Sequence, residues 1–238
     1  LPTTGLLPPS APRRGEKLAW TERAGAWLSE EALTGLLILL VVDMLVLPTL
    51  GLRVGHLALN IVFTVLLLTG LAAVANRGLA LVFGGLLILA TVILKWMAAV
   101  TSLAGVRVTA GAVSLATVAL FTLLVFVRTL SPGPITRHRI EGAVATYLLV
   151  GMAFALAYVL IEVVSPGSFQ LAEGATELQE HTLGYFSIVT LTTVGYGDMT
   201  PLSPLARRLA AFEGLIGQLY PAIIIGWMVS SMKTRRAD

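Results

Sequence analysis

Six stretches of this sequence approach the roughly 20 predominantly apolar residues that an α-helix needs to cross a bilayer. They cover 33–50, 57–75, 79–104, 110–128, 140–164 and 205–231. Of the 238 residues, 56% are hydrophobic and only 12% charged, and mean hydropathy is +0.88. Soluble domains carry about 25% charged residues, so a water-soluble fold would leave much of this apolar surface uncovered. The expected class is an all-α membrane protein with six transmembrane helices. A long charged leader precedes the first stretch and no small-residue cleavage site follows it, which argues against a cleaved signal.

The remaining segments divide the chain further. Residues 1–32 read as a cytoplasmic leader, rich in proline at its start, with a short interfacial helix over "KLAWTERAGAW" (Lys17 to Trp27), where Leu18, Trp20 and Trp27 stand among charges. The four stretches within 33–128 form one transmembrane unit, 129–139 a linker, 140–232 a second unit and 233–238 a basic tail. Basic residues orient the whole. With the N-terminus inside, eleven fall on the inner side (Arg13, Arg14, Lys17, Arg23, Arg77, Arg128, Arg137, Arg139, Lys233, Arg235, Arg236). Only four fall outside, Arg53, Arg107, Arg207 and Arg208. Both termini are therefore expected in the cytoplasm, with the acidic stretch bearing Glu173, Glu177 and Glu180 outside.

Between the fifth and sixth stretches the pattern changes. A polar run, "SPGSFQLAEGATELQEH", leads into a short apolar segment, Thr182 to Leu191, and then into "TTVGYGD", Thr192 to Asp198. About ten apolar residues cannot span a bilayer; they can enter it and turn back. The returning backbone is non-helical at membrane depth, which is tolerated only where protein buries it or where it lines a wet cavity. In an ordinary strand successive carbonyls point opposite ways. Aiming several at one axis needs left-handed backbone at alternate residues, and glycine adopts it without steric penalty. Gly195 and Gly197, alternating with Val194 and Tyr196, meet that need. Such a carbonyl column can replace the water shell of a cation, and Thr193 can add its hydroxyl at the inner end.

"TTVGYGD" resembles the selectivity-filter signature of potassium channels, and the likeness extends over 140–232. It implies an outer helix at 140–164, a re-entrant pore helix at 180–191, an extended filter at 192–198 and an inner helix at 205–231. K⁺ would bind at Thr193, Val194, Gly195, Tyr196 and Gly197. Gly217 stands twenty residues after Gly197, at the place of the hinge glycine in potassium-channel inner helices; with Pro221, which removes a backbone donor, it forms a candidate gate hinge. In many such channels a pore-helix tryptophan, and in some a glutamate, holds the aspartate after the filter. Aligned on Asp198, those positions are Tyr185 and Val189. The expected brace is thus a Tyr185–Asp198 hydrogen bond, with Thr192 and Glu213 as further filter support. One chain supplies one filter strand, so a ring of carbonyls implies a homotetramer.

The other residues of note carry less. Voltage-gated relatives place arginines at every third position of the fourth segment; here 110–128 holds only Arg128, at its inner end, so the four-helix unit is voltage-sensor-like in position alone. Asp43 and Lys95 lie inside expected spans, where an unpaired charge costs at least ~2.5 kcal/mol, and a buried Asp43–Lys95 pair is expected, with snorkelling of Lys95 as the alternative. His56, His138 and His181 are scattered over loop positions and form no metal constellation. No nucleotide-binding loop or catalytic constellation supports an enzyme, a cofactor or a nucleic-acid partner. The expected function is passive, potassium-selective conduction through a homotetramer that is not strongly voltage-gated, in a bacterial inner membrane, with K⁺ and lipids as the remaining partners. The alternatives are a weakly selective cation channel and a non-conducting sensor or subunit that keeps the pore fold.

Overall fold

Apolar residues in unbroken runs satisfy their backbone polar groups within the helix itself, the one economical arrangement in hydrocarbon. The computed structural model follows that rule and describes residues 33–43, 52–74, 78–101, 103–131, 136–170 and 180–234. Its helices are α1 (Leu33–Asp43), α2 (Leu52–Val74), α3 (Gly78–Val100), α4 (Ala104–Thr129), α5 (Arg137–Val164), α6 (Glu180–Leu191) and α7 (Pro204–Thr234). Among the described residues four segments are long and apolar enough to cross a membrane: 82–100, 104–129, 137–164 and 204–231. The leader and interfacial helix expected over 1–32 and the acidic stretch at 171–179 lie outside the described residues.

Several boundaries differ from those read in the sequence. α4 begins at Ala104 rather than 110, because the helical ladder continues past the charge of Arg107, whose N–H donates to the Leu103 carbonyl at 3.2 Å. α3 correspondingly stops at Val100 rather than 104. α5 starts at Arg137, so the last three positions assigned to the 129–139 linker are helical. Hydropathy dips around a charge near the end of a span, whereas helical hydrogen bonding can continue through it.

The chain is also not purely helical. Phe169–Gln170 (β1) and Thr200–Pro201 (β2) pair antiparallel, with Phe169 opposite Pro201 and Gln170 opposite Thr200. Two residues per strand leave no period for a sequence pattern to show. Glu162 shapes the approach to this ladder: its carboxylate accepts from the N–H groups of Gly167 and Ser168 at 2.7 and 2.9 Å. The Ser168 carbonyl then accepts from Leu202 N–H at 2.7 Å. At the start of α7 the Ser203 hydroxyl accepts from Ala206 N–H at 3.2 Å, as an N-cap does.

Among the described residues two hydrophobic clusters are joined by one helix. Leu36 and Leu40 of α1, Leu66 and Leu67 of α2, Val118 and Phe121 of α4 and Leu149 of α5 pack in the first. Tyr158, Phe169, Leu183, Phe186 and Met199 form the second around α6. α5 contributes to both, its N-terminal half to the four-helix unit and its C-terminal half to the region that carries the glycine motif. Within the four-helix unit Thr91 and Thr117, both fully buried, meet at 2.7 Å between α3 and α4. Lys95 Nζ lies 4.2 Å from the centre of the Phe63 ring, a cation–π contact that gives this charge a partner on α2.

Candidate functional site

The site grows from the C-terminal end of α6. Helix ends leave carbonyls without intrahelical donors, and here the following segment supplies them. Thr192 N–H donates to Ile188 at 2.9 Å and Thr193 N–H to Thr190 at 2.9 Å. The Val189 carbonyl accepts from both Val194 and Gly195, at 3.0 and 3.3 Å. The first residues of the return strand are thus fastened to the last turn of α6.

From there the backbone takes left-handed values at every second residue: φ is +60° at Thr193, +56° at Gly195 and +77° at Gly197. Thr193 is the one non-glycine residue with positive φ among the described residues, and bulky or β-branched residues resist that region. Alternation over three successive odd positions is the geometry that turns consecutive carbonyls toward one side. Beyond Gly197 the Asp198 carboxylate accepts from the Tyr185 hydroxyl at 2.9 Å, within one chain. That contact spans from the first half of α6 to the exit of the strand and closes the loop between them. Val189 stands on α6 without a polar group, so no carboxyl supports Asp198 from there.

The underside of α6 is held by α5 and α7. Glu213, fully buried on α7, has its Oε2 2.5 Å from the Tyr158 hydroxyl and its Oε1 2.5 Å from Ser187 Oγ. Ser187 Oγ also lies 2.7 Å from the Gly151 carbonyl. Glu213 is thus shielded from solvent, and its contacts join three helices. Tyr158, itself fully buried, packs edge-on against Phe169 and Phe186 at 5.4 and 5.2 Å between ring centres. Sequence inspection singled out Glu213 but missed Tyr158 and Ser187. The one signal available was a tyrosine in the middle of an apolar span, since a buried phenol needs a hydrogen-bond partner.

Gly217 has a structural reason distinct from bending. A Cβ built there would lie 2.7 Å from the Leu191 carbonyl carbon and closer still to its oxygen. Only glycine lets α7 pass so near the end of α6. The same Leu191 carbonyl accepts from the Tyr147 hydroxyl at 3.0 Å. Pro221, four residues on, lacks the N–H that would bond the Gly217 carbonyl, yet α7 runs unbroken across both positions. Tyr220, next to Pro221, donates to the Ala143 carbonyl at 2.8 Å and stacks at 5.6 Å on Tyr147, tying α7 to α5.

The remaining sequence candidates stand apart from this cluster. Asp43 ends the described part of α1 and Lys95 sits on α3, both in the four-helix unit. His138 opens α5, where Glu141 accepts from Arg137 Nε at 2.7 Å and from Thr34 of α1 at 2.7 Å. No group of three or more His, Cys, Asp or Glu among the described residues could hold a metal ion.

Comparison with known proteins places the same region. Residues 146–233 match the family described as "Ion channel". The two pore potassium channel c of Oryza sativa subsp. japonica is 39% identical over 84 residues, covering 35% of this chain and 17% of that protein. The inward rectifier potassium channel Kirbac3.1 of Paramagnetospirillum magnetotacticum is 38% identical over 81 residues, 32% of this chain and 24% of the relative. Protein LctB of Bacillus caldotenax is 34% identical over 84 residues, 33% of this chain and 61% of the relative. The chain thus spans less than two thirds of the length of each of these relatives. No solved structure matches at comparable significance. The matched region contains α6, the alternating strand and α7 up to residue 233, and with its long apolar helices the chain is a membrane protein whose 146–233 region is similar to the ion-channel family.

Proposed function

We propose that the protein is a potassium-selective channel that conducts K⁺ passively through a homotetrameric pore. The observation that carries this is the left-handed backbone at Thr193, Gly195 and Gly197, on a strand that returns from a helix too short to span a bilayer. Four such strands around an axis offer stacked rings of carbonyl oxygens, the environment that replaces a cation's hydration shell. K⁺ is the cargo, held by Thr193, Val194, Gly195, Tyr196 and Gly197. Similarity to proteins named potassium channels supports this choice of ion.

In this proposal each subunit has six transmembrane helices, with both termini in the cytoplasm as the basic-residue bias favours. α5 is the outer helix, α6 the pore helix and α7 the inner helix. Tyr196 and Val194, 70% and 51% exposed in a single chain, become covered when four subunits close around the axis. Thr192, Tyr185, Asp198 and Glu213 hold the filter in place. Gly217 acts first as the seat of the pore helix, and any gate motion at Pro221 pivots on that contact. Purified protein in liposomes loaded with K⁺ is expected to take up Rb⁺ down its gradient and to exclude Na⁺. Absence of Rb⁺ uptake by well-assembled tetramers would overturn conduction, and equal Na⁺ uptake would overturn selectivity.

A further inference from the structure

We infer that Glu213 is a carboxylic acid rather than a carboxylate, and that its proton completes a directed hydrogen-bond chain locking α6 between α5 and α7. Three oxygen–oxygen contacts meet here: Tyr158 to Glu213 Oε2 at 2.5 Å, Ser187 to Glu213 Oε1 at 2.5 Å, and Ser187 to the Gly151 carbonyl at 2.7 Å. Each needs one proton between its oxygens. A carbonyl supplies none, and an ionised carboxylate supplies none. The two hydroxyls supply one each. Tyr158 spends its proton on Oε2, and Ser187 has a single proton for two acceptors. With an ionised Glu213, one of the Ser187 contacts would press lone pair against lone pair in a fully buried place.

A proton on Oε1 resolves the count. Glu213 then donates to Ser187, Ser187 donates to Gly151, and Tyr158 donates to Glu213. Every contact has one donor and one acceptor, and the chain has one direction. Burial agrees with the neutral form: Glu213 and Ser187 have no exposed surface, and no ion pair among the described residues reaches Glu213. An uncompensated charge at membrane depth is expensive. The titratable groups that α5 presents nearby are Tyr158, already a donor in the chain, and Tyr147, whose hydroxyl donates to Leu191; α6 presents Ser187.

The consequence for the pore rests on the proposed function. Ser187 stands two residues before Val189, whose carbonyl holds Val194 and Gly195. The acid therefore acts through Ser187 as a positioning residue for the filter, from the inner helix, in the absence of a pore-helix carboxyl at Val189. Glutamine reproduces the protonated acid: its NH₂ donates to Ser187 and its carbonyl accepts from Tyr158. Alanine reproduces neither.

Infrared spectroscopy of the full chain in lipid at neutral pH tests this independently of conduction. The expected result is a carbonyl-stretch band of a protonated acid, lost in Glu213→Gln and shifted in Ser187→Ala, where the acid O–H has lost its acceptor. Thermal unfolding of the tetramer is expected to leave Glu213→Gln close to the parent and to lower Glu213→Ala and Ser187→Ala. A carboxylate band at this residue, or a Glu213→Gln protein as destabilised as Glu213→Ala, would overturn the inference. A band that behaves as expected in a protein that conducts no Rb⁺ would leave the protonated chain standing and count against the channel proposal alone.

Discussion

At the scale of single residues, the positions that matter are those where the backbone or a buried oxygen leaves no alternative. Gly195 has φ of +56° with open space around a built Cβ, so substitution there strains the conformation rather than the packing. Gly195→Ala is expected to abolish K⁺ conduction while the subunits still assemble, because alanine disfavours left-handed angles by about 1 kcal/mol or more and four copies act on one ring. Single-channel recording of assembled Gly195→Ala protein checks this, and unchanged conductance would count against the filter assignment. The motif made this much legible in the sequence, since alternate glycines have few other uses inside a membrane. Thr193 was less legible: its hydroxyl was the reason to name it, whereas the structure adds a positive φ that no rule for β-branched residues anticipates. The polar chain beneath α6 was hidden for another reason. Tyr158 and Ser187 are ordinary residues in apolar runs, and only the packing of α5 on α6 reveals that both meet Glu213.

At the scale of elements, Gly217 shows how spacing and packing can suggest different roles for one residue. Its distance from Gly197 marks it as a hinge by resemblance, while its place against the Leu191 carbonyl marks it as a contact point. The two make different predictions. If close approach is its main duty, Gly217→Ala forces α7 away from the end of α6, and overpacking of this kind costs about 1–3 kcal/mol per site. A lowered thermal midpoint and loss of tetramer on size-exclusion chromatography are expected. A stable tetramer altered only in open probability would favour the hinge instead. The four long helices over 82–100, 104–129, 137–164 and 204–231 were legible from hydropathy because burial in lipid demands them, but their ends were not. α4 extends to Ala104 through Arg107, and β1 and β2 are too short to carry a period. Between α1 and α3, Asp43 and Lys95 are expected to compensate each other. Removing one buried partner costs more than removing both, so Asp43→Asn with Lys95→Met should be better folded than either single variant. A thermal-unfolding cycle checks this, with simple additivity as the contrary result.

At the scale of the whole molecule, the four-helix unit and the pore region share α5, which has one half in each hydrophobic cluster. The first unit meets α7 through the Phe126–Tyr220 ring contact, and α7 is tied to α5 by the Tyr220–Ala143 bond; in the proposed channel these contacts would carry any movement of that unit toward 192–198. The membrane field is a poor candidate for that input. α4 holds Arg107 in its first turn and Arg128 in its last, and no charge between them crosses the field, whereas steep gating requires several per subunit. Open probability measured against voltage is expected to rise shallowly; a curve carrying several elementary charges per tetramer would contradict this.

The central claim is that the alternating backbone at 193–197 selects K⁺. Reversal potential under bi-ionic conditions, with K⁺ on one side of a planar bilayer and Na⁺ on the other, tests it most directly, because it reads selectivity without depending on how often the channel opens. The expected result is a reversal potential displaced far toward the K⁺ equilibrium potential, and a reversal potential near zero would contradict the claim.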